Sequence, residues 1–193
     1  MMKATVILAL CAALAAPVFA EEPKTALLII DIQDFYFPGG KVPLVELEAA
    51  AKNAGKVLAA FRAAGNPVVH VRHEFEPGGS IHASVAPVEG EKVFTKTEVS
   101  CFNGTKVLAH LKETGVEKLV IVGMQTHMCL EAATRAAHDL GFECVVVADA
   151  CATRDLTYGD RTVPAADVHA STLATLNRTY AKVVDTETFL SGE

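Results

Sequence analysis

Leu119-Val120-Ile121-Val122-Gly123-Met124-Gln125-Thr126-His127-Met128-Cys129 reads as a buried strand that breaks at a glycine and turns sharply into a helix. Its first four residues are apolar and mostly β-branched, the composition of a strand covered on both faces. Leu130 to Leu140 then has helical spacing and stops at Gly141. Such a turn sets the Cys129 thiol at the first turn of a helix. Free backbone N–H groups and the positive end of the helix dipole favour a thiolate there. A cysteine taken alone is more often a small buried apolar residue. The rest of the chain must therefore supply its partners.

Working outward, Ala26 to Ile30 is another continuous apolar run, and it ends at Asp31. Leu44 to Ala64 is Ala-rich, with Leu47, Ala51, Val57, Leu58 and Phe61 at helical spacing and Gly65-Asn66-Pro67 as the stop. Pro67 to Arg72 predicts a second strand, residues 74–91 a long loop, and Val93-Phe94-Thr95 a short strand ending at Lys96. Helices are predicted over Thr105 to Thr114 and Ala165 to Tyr180, and strands over Cys144 to Ala148 and Lys182 to Val184. Strands that alternate with helices give a parallel sheet wrapped on both faces. Ligands of such sheets sit outside the carboxyl ends of the strands. Asp31, Lys96 and Cys129 all fall at that edge.

A chain of 193 residues, 51% hydrophobic and 21% charged, fits one folded domain. A net charge of −6 with no basic run argues against nucleic acid and an anionic membrane as partners. The N-terminus reads as a secretory signal: Lys3, an uncharged run from Thr5 to Val18, then Val18-Phe19-Ala20 before Glu21-Glu22. Residues 1–20 are the expected signal peptide and 21–193 the mature, exported domain, probable destination the periplasm or the medium. Losing Lys3 takes the net charge from −6 to −7. The run is too short for a membrane anchor, and the residues before Cys11 make a poor lipidation motif. Four cysteines remain: Cys101, Cys129, Cys144 and Cys151. Cys144 and Cys151 flank one strand whose span of about 23 Å forbids a bridge between them. A Cys101–Cys151 bridge is sterically open, but free buried thiols are expected.

The chemistry follows from the three groups. A thiol nucleophile needs a base, a stabilised thiolate and a place for the oxyanion. Asp31 can take the thiol proton and Lys96 can hold both anions. Because the three titrate as one coupled set, no single pKa belongs to one of them.

Three stretches now carry a resemblance: Leu28 to Phe35 (LIIDIQDF), Lys96 to Phe102 (KTEVSCF) and Gly123 to Ala132 (GMQTHMCLEA). In order and spacing they resemble the signatures of the isochorismatase-like cysteine hydrolases, and Pro67 to Glu74 and Val147 to Ala150 extend the match. The resemblance implies a Rossmann-like three-layer α/β/α fold with a mostly parallel six-stranded sheet, and a catalytic Asp31–Lys96–Cys129 triad. It also implies a cis peptide between Met124 and Gln125, which aims the backbone N–H groups of Gln125 and Cys129 at one oxygen. Amide-cleaving members proceed through a thioester on the cysteine, and relatives form homodimers or homotetramers.

Where the nicotinamidase branch carries a metal-binding Asp and histidines, this chain has Arg72-His73-Glu74 and then His82. No metal and no other cofactor is expected, although His73, Glu74 and His82 leave a different metal set open. His73 and His82 are instead expected to line the substrate pocket with Phe35, Phe37 and Phe102. Residues 74–91 and 153–165 are the expected lids. The expected substrate is a small molecule with an amide-type C–N bond. Two alternatives stay open: vinyl ether hydrolysis with Asp31 as the acid, and a non-catalytic binding or redox protein in which Cys101 pairs with Cys129.

Overall fold

The computed structural model describes residues 24–192; the expected signal peptide and Cys11 lie outside them. Six strands form one parallel sheet in the order β3-β2-β1-β4-β5-β8. They are β1 (Thr25–Ile30), β2 (Val68–His73), β3 (Lys92–Lys96), β4 (Lys118–Met124), β5 (Glu143–Ala152) and β8 (Lys182–Val184). A separate antiparallel hairpin pairs β6 (Leu156–Tyr158) with β7 (Arg161–Val163).

Burial explains the layers. Residues 26–30 and 119–124 are buried throughout, so both faces of the central strands need cover. Helix α1 (Leu47–Ala63) supplies one cover, packing Ala51, Ala54, Leu58 and Phe61 against Leu27, Ile29 and Val120. The other is built by α2 (Val107–Glu113), α3 (Glu131–Asp139) and α4 (Ala165–Leu176), whose Leu111, Ala133 and Leu176 meet Leu28, Ile30 and Ile121. A last short helix, α5 (Thr186–Ser191), joins the α1 side, where Phe189 packs into the core. The expected three-layer fold with a six-stranded sheet is therefore present, and its sheet is wholly parallel.

Several boundaries differ for identifiable reasons. Helix α1 starts at Leu47 rather than Leu44 because the Val45 N–H pairs with the Thr153 carbonyl and Glu46 turns left-handed (φ 54°). Helix α4 ends at Leu176 rather than Tyr180, where extended Asn177 and left-handed Arg178 (φ 71°) stop it. Strand β5 runs on past Ala148 to Ala152. Its register against β4 jumps, with Ile121 facing Val146 but Gly123 facing Cys151. Hairpin β6–β7 and helix α5 have no counterpart in the sequence reading.

Gly123 decides how closely the central strands meet. It pairs with Ile30 at φ 130°, and a Cβ there would lie 1.9 Å from the Ile30 carbonyl oxygen. Only glycine allows this approach. Asp31 is the next residue of β1's chain, so the same contact fixes one member of the site.

Candidate active site

Asp31 leaves β1 in the left-handed region (φ 50°), with its N–H donating to the Val71 carbonyl at 2.9 Å. Its side chain is fully buried. Lys96 ends β3, a strand otherwise mostly exposed, yet Lys96 itself is only 2% exposed. The Lys96 Nζ lies 2.7 Å from Asp31 Oδ2, donates to Cys129 Sγ at 3.2 Å, and is 3.2 Å from His73 Nδ1. The ammonium–carboxylate contact is a fully buried ion pair, and the Cys129 thiol is the other donor beside the Asp31 carboxyl. The structure thus brings together the acid, amine and thiol at the carboxyl edge of three strands.

Cys129 sits in a π-helical turn (Thr126–Leu130) that leads into α3. The peptide between Met124 and Gln125 is cis. N–H groups of Met128 and Leu130 both donate to the Gln125 carbonyl, at 3.0 and 3.3 Å, which anchors the turn on that residue.

The electrostatics correct one expectation. Burial, and then the Asp31 charge, push the Cys129 thiol up to about 12 against the pull of Lys96. A preformed thiolate is therefore disfavoured, because the turn's dipole acts on a sulfur only 6% exposed and beside a carboxylate. Burial likewise raises Asp31, opposed by Lys96. For Lys96 burial pulls downward, and Asp31 and Cys129 together more than offset it, so the ammonium is held. At rest the sulfur is a thiol, and it stands beside a carboxyl and a charged ammonium.

The other candidate residues scatter. His73 is at the site through Lys96. Phe35 is 4% exposed and packs its ring between Tyr36 and Phe75, with centroids 4.1 and 4.2 Å away. Phe37 stacks on His82 at 3.5 Å, and both line a groove of about 640 Å³ along α1. Phe102 stacks on Phe142 at 6.3 Å and packs against the core layer of α2 and α3. The three residues His73, Glu74 and His82 do not gather: no cluster of three or more metal-ligating side chains occurs among the described residues. A cation beside His73 would also meet the Lys96 ammonium, so these residues do not fit a metal. Cys101, Cys129, Cys144 and Cys151 are free and buried, and the sterically open Cys101–Cys151 bridge is not formed.

Side-chain contacts that the sequence does not announce complete the surroundings. Gln125 Nε2 donates to the Tyr36 hydroxyl at 3.3 Å, and Arg154 Nε donates to Gln125 Oε1 at 3.2 Å. Tyr36 is buried close enough to Asp31 and Cys129 for their charges to raise its pKa, after burial itself. Gln33, fully buried, donates from Nε2 to the carbonyls of His73 and Gly79, each at 2.8 Å. The only available signal was adjacency: Gln33 lies within the Asp31 motif and Tyr36 directly follows it, while Gln125 was read for its backbone N–H and not for its side chain.

Comparison with known proteins identifies the family. An uncharacterized isochorismatase family protein of Bacillus subtilis, YddQ, is 47% identical over 177 residues, covering 86% of this chain and 98% of its own. The crystal structure of a protein assigned as an isochorismatase hydrolase from Oleispira antarctica superposes with a TM-score of 0.85 at 48% identity, over 90% of this chain and all of the other. The maleamate amidohydrolase of Pseudomonas putida is 29% identical, covering 83% of each chain. The isochorismatase domain model itself matches residues 25–188. Fold, motif order and near-full-length identity point one way, and the chain belongs to the isochorismatase family of hydrolases.

Proposed function

We propose that this hydrolase cleaves an amide-type C–N bond in a small molecule, with Cys129 as nucleophile and a thioester as intermediate. The observation that carries the reading is the buried ammonium of Lys96, 2.7 Å from Asp31 Oδ2 and 3.2 Å from Cys129 Sγ. A similar protein, the maleamate amidohydrolase, is named for the same class of bond.

The Sγ–H proton passes to Asp31 as sulfur attacks the carbonyl carbon, so no free thiolate need accumulate. The new oxyanion is held by the backbone N–H groups of Gln125 and Cys129. Asp31 returns its proton to the departing nitrogen as the C–N bond breaks, which leaves a thioester and a free amine or ammonia. Asp31 then takes a proton from water as the oxygen attacks the thioester carbon, and gives it to the sulfur as the C–S bond breaks, which releases the carboxylic acid and restores the thiol. Lys96 keeps its proton throughout and balances whichever anion is present.

Purified protein screened against small amides, ureas and carbamates for ammonia release tests the reading. Cys129→Ala should abolish turnover, and a substrate adduct on Cys129 should be trapped by mass spectrometry. Full activity in Cys129→Ala would overturn it. The raised pKa of Asp31 also favours a second reading, protonation of a vinyl ether such as isochorismate. That activity would survive Cys129→Ala and disappear in Asp31→Asn.

The pattern of residues 1–22 supports action after export, which N-terminal sequencing of the protein recovered from the cell exterior or periplasm tests. Assembly as a homodimer or homotetramer, by analogy with the family, is read by light scattering.

A further inference from the structure

The Lys96 ammonium has three N–H donors and no acceptor. Its three near neighbours are Asp31 Oδ2 at 2.7 Å, Cys129 Sγ at 3.2 Å and His73 Nδ1 at 3.2 Å. Two of these belong to the reacting group, and the third is not used by the reaction at all. A ring nitrogen beside an ammonium can only accept. Nδ1 must therefore carry a lone pair, and the ring hydrogen sits on Nε2.

His73 is also held too firmly for a loose rim residue. It is the last residue of β2 and faces Lys96 in register. Its N–H donates to Gln33 Oε1 at 2.8 Å, and its carbonyl accepts from Gln33 Nε2 at 2.8 Å. On the far side the Glu74 N–H donates to the Lys96 carbonyl at 2.8 Å. The backbones of both residues are thus pinned, which roots the His73 ring beside Lys96.

We propose that His73 is a positioning residue: the lone pair of Nδ1 fixes the Lys96 ammonium in the orientation that serves Asp31 and Cys129, a task only the neutral ring performs. Without that acceptor one ammonium N–H faces a nearly sealed interior with nothing to bind, and the ammonium is free to turn away from sulfur. With the ring protonated, both ring nitrogens become donors and a second positive charge stands beside the first. His73 accordingly acts as an acid-side gate on the site. The charged groups facing it are Lys96 on β3, Asp31 after β1, Glu74 next in sequence and Glu98 beyond β3. Burial, and then the Lys96 charge, hold the ring's pKa below its ordinary value of 6.5, so the gate stays open at neutral pH and closes on acidification.

This inference rests on the reading of Asp31, Lys96 and Cys129 as the reacting group, so its test reads the thiol and needs no substrate. The full chain, His73→Asn and His73→Leu are alkylated with iodoacetamide from about pH 5 to about pH 8, and modification of Cys129 is followed by peptide mass spectrometry. Asparagine places Oδ1 where Nδ1 was and does not titrate. It should react within about 3-fold of the parent at the alkaline end and show one ionisation fewer on the acid side. Leucine offers no acceptor and should react about 10-fold more slowly even at the alkaline end. Leucine at the parent's rate with the parent's acid-side profile would overturn the proposal. Should the leucine variant not fold, an unchanged acid-side profile in His73→Asn does so alone. Absence of amide turnover alongside the expected alkylation pattern would reject the C–N reading while upholding the role of His73.

Discussion

Asp31 and Glu91 each face a cation and a histidine: Lys96 and His73 at the carboxyl ends of the strands, Arg62 and His70 toward the amino ends. Glu91 is saturated. Arg62 donates from Nε and Nη2 to its two oxygens at 2.7 and 2.9 Å, and the Val88 N–H and His70 Nε2 reach Oε2 at 3.0 and 2.8 Å. Its pKa falls to about 2, chiefly through Arg62. Asp31 has one cation, Lys96, and one thiol, Cys129, as its side-chain donors, and a pKa raised by burial. A carboxylate held by four donors fastens a loop to a sheet. One with fewer donors in a dry site, one of them a thiol, can receive a proton.

The largest effect expected from this contrast is on turnover. Asp31→Asn removes the proton acceptor and should lower the rate by about 10²–10⁴-fold, measured as product release on whichever amide the screen identifies. Glu91→Gln should leave the rate unchanged. Loss of turnover in both variants would mean that the two clusters are not separate. Stability comes next. Lys96→Met strands a buried carboxylate and should cost about 3–5 kcal/mol in urea unfolding. Adding Asp31→Asn to it removes the stranded charge, and the double variant should recover most of that loss. A double variant as unstable as Lys96→Met alone would show that the lysine matters through packing.

This division explains what could be read in advance. Continuous apolar runs at residues 26–30 and 119–122 announce strands covered on both faces, and such strands leave only their ends for chemistry. Asp31, Lys96 and Cys129 were legible because each is a reactive residue at the end of such a run. His73 was legible only as a pocket residue, because its tie to Lys96 depends on the β2–β3 register, which no local pattern carries. The apolar candidates failed for a related reason. Phe35 packs in the core between Tyr36 and Phe75, and it is the hydroxyl of neighbouring Tyr36 that meets Gln125. Hairpin β6–β7 has three-residue strands that are nearly all exposed, so it shows no alternation to detect. The thiolate expectation failed because a dipole argument takes no account of burial or of a carboxylate contributed by another strand.

Glu91 sharpens the comparison through pH, where the two carboxylates act with opposite sign. Its folded pKa of about 2 lies below the ordinary 4.5. It therefore contributes stability above about pH 4.5, and that contribution is lost as pH falls toward 2. Asp31, being raised, costs nothing below its ordinary 3.8 and costs more as pH rises through its folded value. Glu91→Gln should accordingly destabilise by about 1–3 kcal/mol at neutral pH, discounted for the partial exposure of Arg62. That deficit should shrink steadily in thermal melts taken at lower pH. The smallest effect belongs to Arg62→Lys. Lysine keeps the charge but loses the two-pronged geometry, and the Arg62 side chain is 33% exposed, so water can take up part of the vacated contact. A loss of about 0.5–1 kcal/mol is expected, with the His70 and Val88 contacts still holding Glu91 in place. If Arg62→Lys instead costs as much as Glu91→Gln, the guanidinium alone holds the loop, and saturation by several donors is not what separates this carboxylate from Asp31.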